Sequence, residues 1–130
     1  MNNLFLIRGL PGSGKSTIAE LICQRHNTHH YEADMYFLDE SKRYNFDASK
    51  LQAAHVWCQR AAAECLEVGK DAVVSNTFTT NAEMAPYLEA AKRYGAKVHV
   101  IKAEGNFQDI HRVPKEIIEK MSKRWEGVRP

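Results

Sequence analysis

A lysine and a serine stand directly after a stretch punctuated by three glycines, Gly9-Leu10-Pro11-Gly12-Ser13-Gly14-Lys15-Ser16. The spacing is Gly-x-x-x-x-Gly-Lys-Ser/Thr, the pattern of a phosphate-binding P-loop. Gly9, Gly12 and Gly14 allow backbone angles and close approaches that a side chain forbids. The loop backbone through Pro11 and Ser13, with the helix start behind it, then faces phosphate oxygens. Lys15 brings a mobile positive charge to the terminal phosphates, and Ser16 offers a hydroxyl to magnesium. Thr17 caps the helix or supports the site.

Other chemistry-bearing residues fall where strands are expected to end. Asp34 follows the polar run His29-His30-Tyr31-Glu32-Ala33, the expected second strand. In open parallel α/β sheets, ligands bind beyond the carboxyl ends of strands. A carboxylate there can take a proton from a substrate hydroxyl or help position magnesium, and it can equally cap a short helix. Asn76 and Thr77 follow the buried run Ala72-Val73-Val74-Ser75 and can bond a phosphate, a metal-bound water or substrate, or serve turn chemistry. Lys42 and Arg43 lie in the mixed aromatic and charged stretch Met35–Asp47. There they can meet an anionic substrate or simply face solvent. His55 falls on the inner face of a helical pattern, as a core histidine or as a site residue. His111 and Arg112 lie in a connecting segment, Phe107–Val113, where phosphoryl-transfer enzymes often carry a lid. The adjacent pair His29-His30 is a poor metal site, because neighbours on a strand point to opposite faces.

These residues need elements to hold them. Leu4-Phe5-Leu6-Ile7 predicts a buried parallel strand before the loop, and Ile18, Leu21 and Ile22 predict a helix after it. Asp47-Ala48-Ser49 opens a long helix to about Val68, with Leu51, Ala54, His55, Cys58, Ala62, Cys65 and Leu66 inward. Gly69 stops it. A third strand at Ala72–Ser75 is followed by a helix from about Ala82 to Tyr94, with Thr80 or Asn81 as cap and Pro86 in its early part. Lys97–Lys102 is the fourth strand. Pro114 suits the first turn of a last helix with Ile117, Ile118 and Met121 inward. Lys120, Lys123 and Arg124 near its C-terminus suit the helix dipole.

The whole chain has 130 residues, 44% hydrophobic and 26% charged, as expected of one soluble domain spanning 1–130. A net charge of +2 neither requires nor excludes a nucleic-acid substrate. No segment approaches the ~20 apolar residues of a membrane span, and the N-terminus reads straight into a strand rather than a signal peptide. Cys23, Cys58 and Cys65 form neither a metal pattern nor an even disulfide set, so buried thiols and a reducing, cytoplasmic setting are expected.

The chain resembles the P-loop kinase-like proteins related to NEDD4-binding protein 2 (the AAA_33 type), which are similar in turn to the kinase domain of phage polynucleotide 5′-kinase. Arg8-Gly9-Leu10-Pro11-Gly12-Ser13-Gly14-Lys15-Ser16-Thr17 looks like that family's loop, and Asp34 with Tyr36-Phe37 looks like its acidic residue and aromatic. Ala54-His55 is similar to its helix motif, and Asn76-Thr77-Phe78-Thr79-Thr80 through Glu83-Met84-Ala85-Pro86-Tyr87 to its Asn-Thr motif. Asn106, His111, Val113-Pro114 and Met121 resemble its C-terminal part, so the likeness runs nearly the whole length. Three departures stand out. Ser75 occupies a position that is often acidic, Phe78 replaces an asparagine, and only His111 and Arg112 remain of a longer, arginine-rich lid.

The resemblance implies an α/β fold of the P-loop NTPase kind: a parallel sheet of about four strands flanked by helices, a three-layer αβα sandwich. It implies ATP and magnesium as cofactors, held at Gly9, Pro11, Gly12, Ser13, Gly14, Lys15, Ser16 and Thr17, with His111 near the nucleotide. Lys15, Asp34 and Arg112 are the candidate catalytic residues, with Asp34 as general base. Ser16 and Asp34 are the candidate metal contacts, and Arg43, His55, Asn76 and Thr77 the candidate substrate contacts. The expected activity is transfer of the ATP γ-phosphate to a hydroxyl such as a nucleic-acid 5′-end. The alternatives are a kinase for a small metabolite and a nucleotide-binding interaction module with slow or no ATP hydrolysis. A membrane partner is not expected.

Overall fold

The computed structural model describes residues 2–105 and 115–128. The apolar run before the glycine-rich loop forms β1, Asn3–Arg8, and its side chains alternate between the two faces of a sheet. Leu4 and Leu6 enter one core, while Phe5 and Ile7 enter the other. Three more strands join it: β2 at His30–Tyr31, β3 at Ala72–Asn76 and β4 at Lys97–Lys102. The order across the sheet is β2-β3-β1-β4, and every pairing is parallel. β1, which leads into the glycine-rich loop, therefore lies in the interior, with Arg8 paired to both Asn76 and Lys102 at its carboxyl end.

Helices cover both faces, giving the three-layer αβα arrangement. On one side α1, Lys15–His26, packs Ala19, Ile18, Ile22 and Cys23 against Phe5, Ile7 and Val73. On the other, α2 (Leu51–Glu67) and α3 (Asn81–Tyr94) bring Ala54, Cys58, Met84, Tyr87 and Ala91 onto Leu4, Leu6 and Val74. A final helix, α4, spans Lys115–Lys123. No described helix is long and apolar enough to cross a membrane. Cys23, Cys58 and Cys65 are free thiols, Cys58 and Cys65 buried and Cys23 half-buried.

Several local details correct or refine these expectations. Leu21 shares the helical spacing of Ile18 and Ile22 but does not face the sheet. It is 61% exposed, because Ile18, Ala19, Ile22 and Cys23 already fill the contact with the sheet. The long helix begins with a 3-10 turn at Ala48–Lys50, where the Asp47 carboxylate accepts from the Ser49 amide, and Leu51 at its junction with α2 is 43% exposed. The second strand keeps only two residues, because Ala33–Phe37 turns into a 3-10 helix. Thr80, rather than Asn81, caps α3, its side chain accepting from the Glu83 amide. In α4 Ile117 faces solvent, whereas Ile118 and Met121 are half-buried.

Candidate active site

The glycine-rich loop runs from the end of β1 into α1. Gly14 caps that helix at φ 91°, a left-handed backbone that carries no side-chain clash only in glycine. Gly9 is required for a different reason. A Cβ at that position would fall 2.3 Å from Ser13 Oγ and 3.0 Å from the Ala103 carbonyl. The loop is pinned from three sides. The Ser13 amide donates to the Leu10 carbonyl at 3.1 Å, Gly105 N–H to the Ser13 carbonyl at 2.9 Å, and Gly9 N–H to the Thr77 carbonyl at 3.3 Å. Thr77 thus meets the loop through its backbone. The Lys15 ammonium rests on the Leu10 carbonyl at 3.3 Å, so the cation is held over the loop that would cradle a phosphate. Thr17 is exposed on the first turn of α1.

Arg8 anchors the loop from beneath. Its side chain is 2% exposed, and it donates from Nε and Nη2 to the Phe78 carbonyl at 3.0 and 2.6 Å, and from Nη2 to the Glu126 carbonyl at 2.6 Å. Its guanidinium carbon lies 4.1 Å from the centre of the Trp125 ring, a cation–π contact. Burial lowers its pKa, against the pull of Glu83 and Glu126. Phe78 needs this support. It sits at φ 49°, a region that asparagine enters more readily than phenylalanine.

Around Ser16 the structure assembles a chain of polar groups that the sequence reading missed. Ser16 Oγ donates to Glu32 Oε1 at 3.3 Å, and Ser75 Oγ lies 3.4 Å from Glu32 Oε2. His30 Nε2 is 2.5 Å from the same Ser75 oxygen. Burial pushes the His30 imidazole down to about 4, so it is neutral near pH 7. Glu32 was readable only as a polar residue in the second strand. The available signal was a carboxylate two residues ahead of Asp34, at the same strand end. His30 is committed to Ser75, and no group of three or more His, Cys, Asp or Glu suited to a metal exists among the described residues. A serine hydroxyl with carboxylates nearby is a hard-oxygen donor set, which fits magnesium better than a nitrogen- or sulfur-seeking metal.

Asp34 lies just beyond, in the Ala33–Phe37 turn, half-buried, with Oδ1 accepting from the Tyr44 hydroxyl at 3.2 Å. Asn76 fixes that turn. Its Oδ1 accepts from the Ala33 amide at 2.8 Å, and its Nδ2 meets Cys58 Sγ at 3.7 Å. The Met35–Asp47 stretch is knitted rather than irregular. Leu38 bridges Tyr44, and Asp39 Oδ1 accepts from the Ser41 and Arg43 amides. Arg43 itself is exposed. Tyr36, Phe37, Asp39, Phe46 and Lys50 border an open groove of about 720 Å³ on this side. His55 is half-buried on α2. A second cavity, of about 340 Å³, lies on the other side of the loop, between Leu10, Ser13, Lys102, Glu104, Ser122 and Trp125. His111 and Arg112 fall outside the described residues.

The profile of the AAA domain family AAA_33 matches residues 4–106, from β1 past the end of β4. The chain belongs to this family. A human relative, NEDD4-binding protein 2, is 37% identical over 98 residues, which are 73% of this chain and 5% of that protein. The AAA_33 domain described here thus corresponds to a small part of that much longer protein. Among solved structures, a chain of the Pnkp1/Rnl/Hen1 RNA repair complex superposes with a TM-score of 0.72 at 17% identity, covering 95% of this chain and 43% of that one. A gluconokinase from Sinorhizobium meliloti 1021 gives 0.64 at 15%, covering 96% and 75%. The Mycobacterium tuberculosis APS kinase CysC, in complex with AMPPNP and APS, gives 0.62 at 14%, covering 92% and 67%. At these identities the likeness is one of fold, that of P-loop kinases.

Proposed function

We propose that this domain is a magnesium-dependent ATP kinase that transfers the γ-phosphate to a hydroxyl, with a polynucleotide 5′-end as acceptor. The observation that carries the reading is that a phosphate loop and a half-buried carboxylate both lie beyond the carboxyl ends of the parallel strands. Gly9–Ser16 and Asp34 both follow parallel strands, and Ser16 is tied to Glu32, two residues before Asp34. The likeness to a chain of an RNA repair complex favours a nucleic-acid acceptor.

In this reading the loop amides and Lys15 hold the phosphates of ATP, and Ser16 with Asp34 faces the magnesium. The metal, when bound, neutralises charge on the phosphates and orients them. Asp34 accepts the proton of the acceptor hydroxyl. The acceptor oxygen then forms a bond to the γ-phosphorus, the bond from that phosphorus to the bridging oxygen breaks, and ADP leaves with the electron pair. Tyr44 orients the Asp34 carboxylate. Asn76 acts on the same group by holding the Ala33 amide. In the same reading His55, Arg43 and Thr77 would contact the acceptor, Arg112 would supply a lid cation and His111 would contact the nucleotide.

Calorimetry with ATP and magnesium tests the nucleotide half of the proposal, with Lys15→Ala expected to lose affinity. ADP release measured with 5′-hydroxyl and 5′-phosphoryl oligonucleotides tests the acceptor half. Stimulation by the hydroxyl form alone is expected. The likeness to a gluconokinase and an APS kinase favours a second reading, a small-metabolite acceptor. Stimulation by small hydroxyl compounds, with none by oligonucleotides, would select it. Tight binding without turnover on any acceptor would select a nucleotide-binding module.

A further inference from the structure

A magnesium ion at a phosphate loop is ordinarily shared between the loop hydroxyl and a carboxylate at the end of a neighbouring strand. In this chain β3 ends in Ser75 and Asn76, neither of which carries a carboxylate. Ser75 is fully buried, and Asn76 Oδ1 is committed to the Ala33 amide. The carboxylate that reaches this position comes from the end of the next strand. Glu32, half-buried after β2, spans the gap, with one oxygen 3.3 Å from Ser16 Oγ and the other 3.4 Å from Ser75 Oγ.

We propose that Glu32 is the positioning residue for magnesium in this domain, standing in for the carboxylate that β3 lacks. The inference rests on the ATP–magnesium reading of the site. A serine hydroxyl has one proton and two lone pairs. With its proton given to Glu32, the Ser16 oxygen keeps both lone pairs for a metal. Magnesium retains several of its waters when bound. Those waters need acceptors, and the Glu32 carboxylate is the acidic group tied to the loop hydroxyl. Ser75, braced by His30 Nε2, holds the second Glu32 oxygen in place. The chain His30–Ser75–Glu32–Ser16 therefore fixes the carboxylate from behind, as outer-shell partners of metal ligands commonly do.

The test is the affinity for a fluorescent ATP analogue, measured in magnesium and in EDTA, for the wild-type chain, Glu32→Gln, and Glu32→Gln combined with Ser75→Asp. The wild type should bind more tightly in magnesium. Glu32→Gln should lose that gain, by roughly ten- to hundred-fold, while its affinity in EDTA stays at the wild-type value. Returning a carboxylate to β3 in the double variant should recover part of the gain. An undiminished magnesium effect in Glu32→Gln would overturn the assignment and leave the nucleotide reading intact. Equal losses in magnesium and EDTA would also overturn it, because they would mean that Glu32 merely shapes the loop. A folded wild-type chain that binds no nucleotide in either medium would overturn both.

Discussion

Gly9 is a residue at which the loop tolerates little. Because a Cβ there would meet both a side-chain oxygen and a backbone oxygen, Gly9→Ala should displace Ser13 and the Gly105 strap together. Overpacking of this kind costs about 1–3 kcal/mol. The expected outcome is a lowered melting temperature and a larger loss of ATP affinity, measured by thermal melts and calorimetry. Adding Ser13→Ala removes the 2.3 Å contact but not the 3.0 Å contact with Ala103, so recovery should be partial. Tyr87 makes a different kind of prediction. Its phenol is buried at the centre of the α2–α3 core, and burial raises its pKa well above the usual 10. In the unfolded chain it ionises near 10, so above that pH the unfolded state binds fewer protons than the folded one. Its contribution is thus complete below pH 10 and is lost as pH rises further. Denaturant melts across this range should show a shallower loss for Tyr87→Phe than for the wild type.

At the scale of elements, a side chain from β3 helps hold the turn that carries Asp34. Asn76→Ala removes the acceptor of the Ala33 amide and should cost about 1–3 kcal/mol in stability. If the turn positions Asp34, kcat should fall while the KM for ATP stays near its wild-type value, which steady-state kinetics would show. The helix cap at Thr80 is independent of this. Thr80→Ala should cost about 1 kcal/mol in thermal melts and leave nucleotide affinity unchanged. The same elements show how far sequence reading reaches. The bounds of β4 and the end of α3 at Gly95 were legible because an apolar alternation and a left-handed glycine mark them locally. The glycine-rich loop was legible because its spacing admits little else. Leu51, expected inward, is exposed because helical spacing identifies a face only within about one residue. Glu32 was missed because its role depends on Ser75, brought to it by pairing between β2 and β3, and on Ser16 at the start of α1, which no local pattern encodes.

Across the molecule, the segment after α4 closes back over the start of the phosphate loop. Trp125 covers the Arg8 guanidinium, the Glu126 amide donates to the Thr79 carbonyl at 2.7 Å, and Arg124 Nε donates to Thr79 Oγ1 at 2.9 Å. Residues at the far end of the sequence thereby brace the loop at Gly9 and the turn at Phe78. Trp125→Ala should lower stability by about 1–2 kcal/mol through the lost cation–π contact alone, more with packing, and should weaken ATP binding in parallel. Denaturant titration beside calorimetry would check both. The central claim is phosphoryl transfer with Asp34 as base. Its most direct test is transfer of labelled γ-phosphate from ATP–magnesium to 5′-hydroxyl DNA and RNA oligonucleotides, by the wild type and by Asp34→Asn, with ATP affinity measured on both. The account predicts labelled oligonucleotide from the wild type and none from Asp34→Asn, at equal affinity. Undiminished transfer by Asp34→Asn, or no label from a wild type that binds ATP, would contradict it.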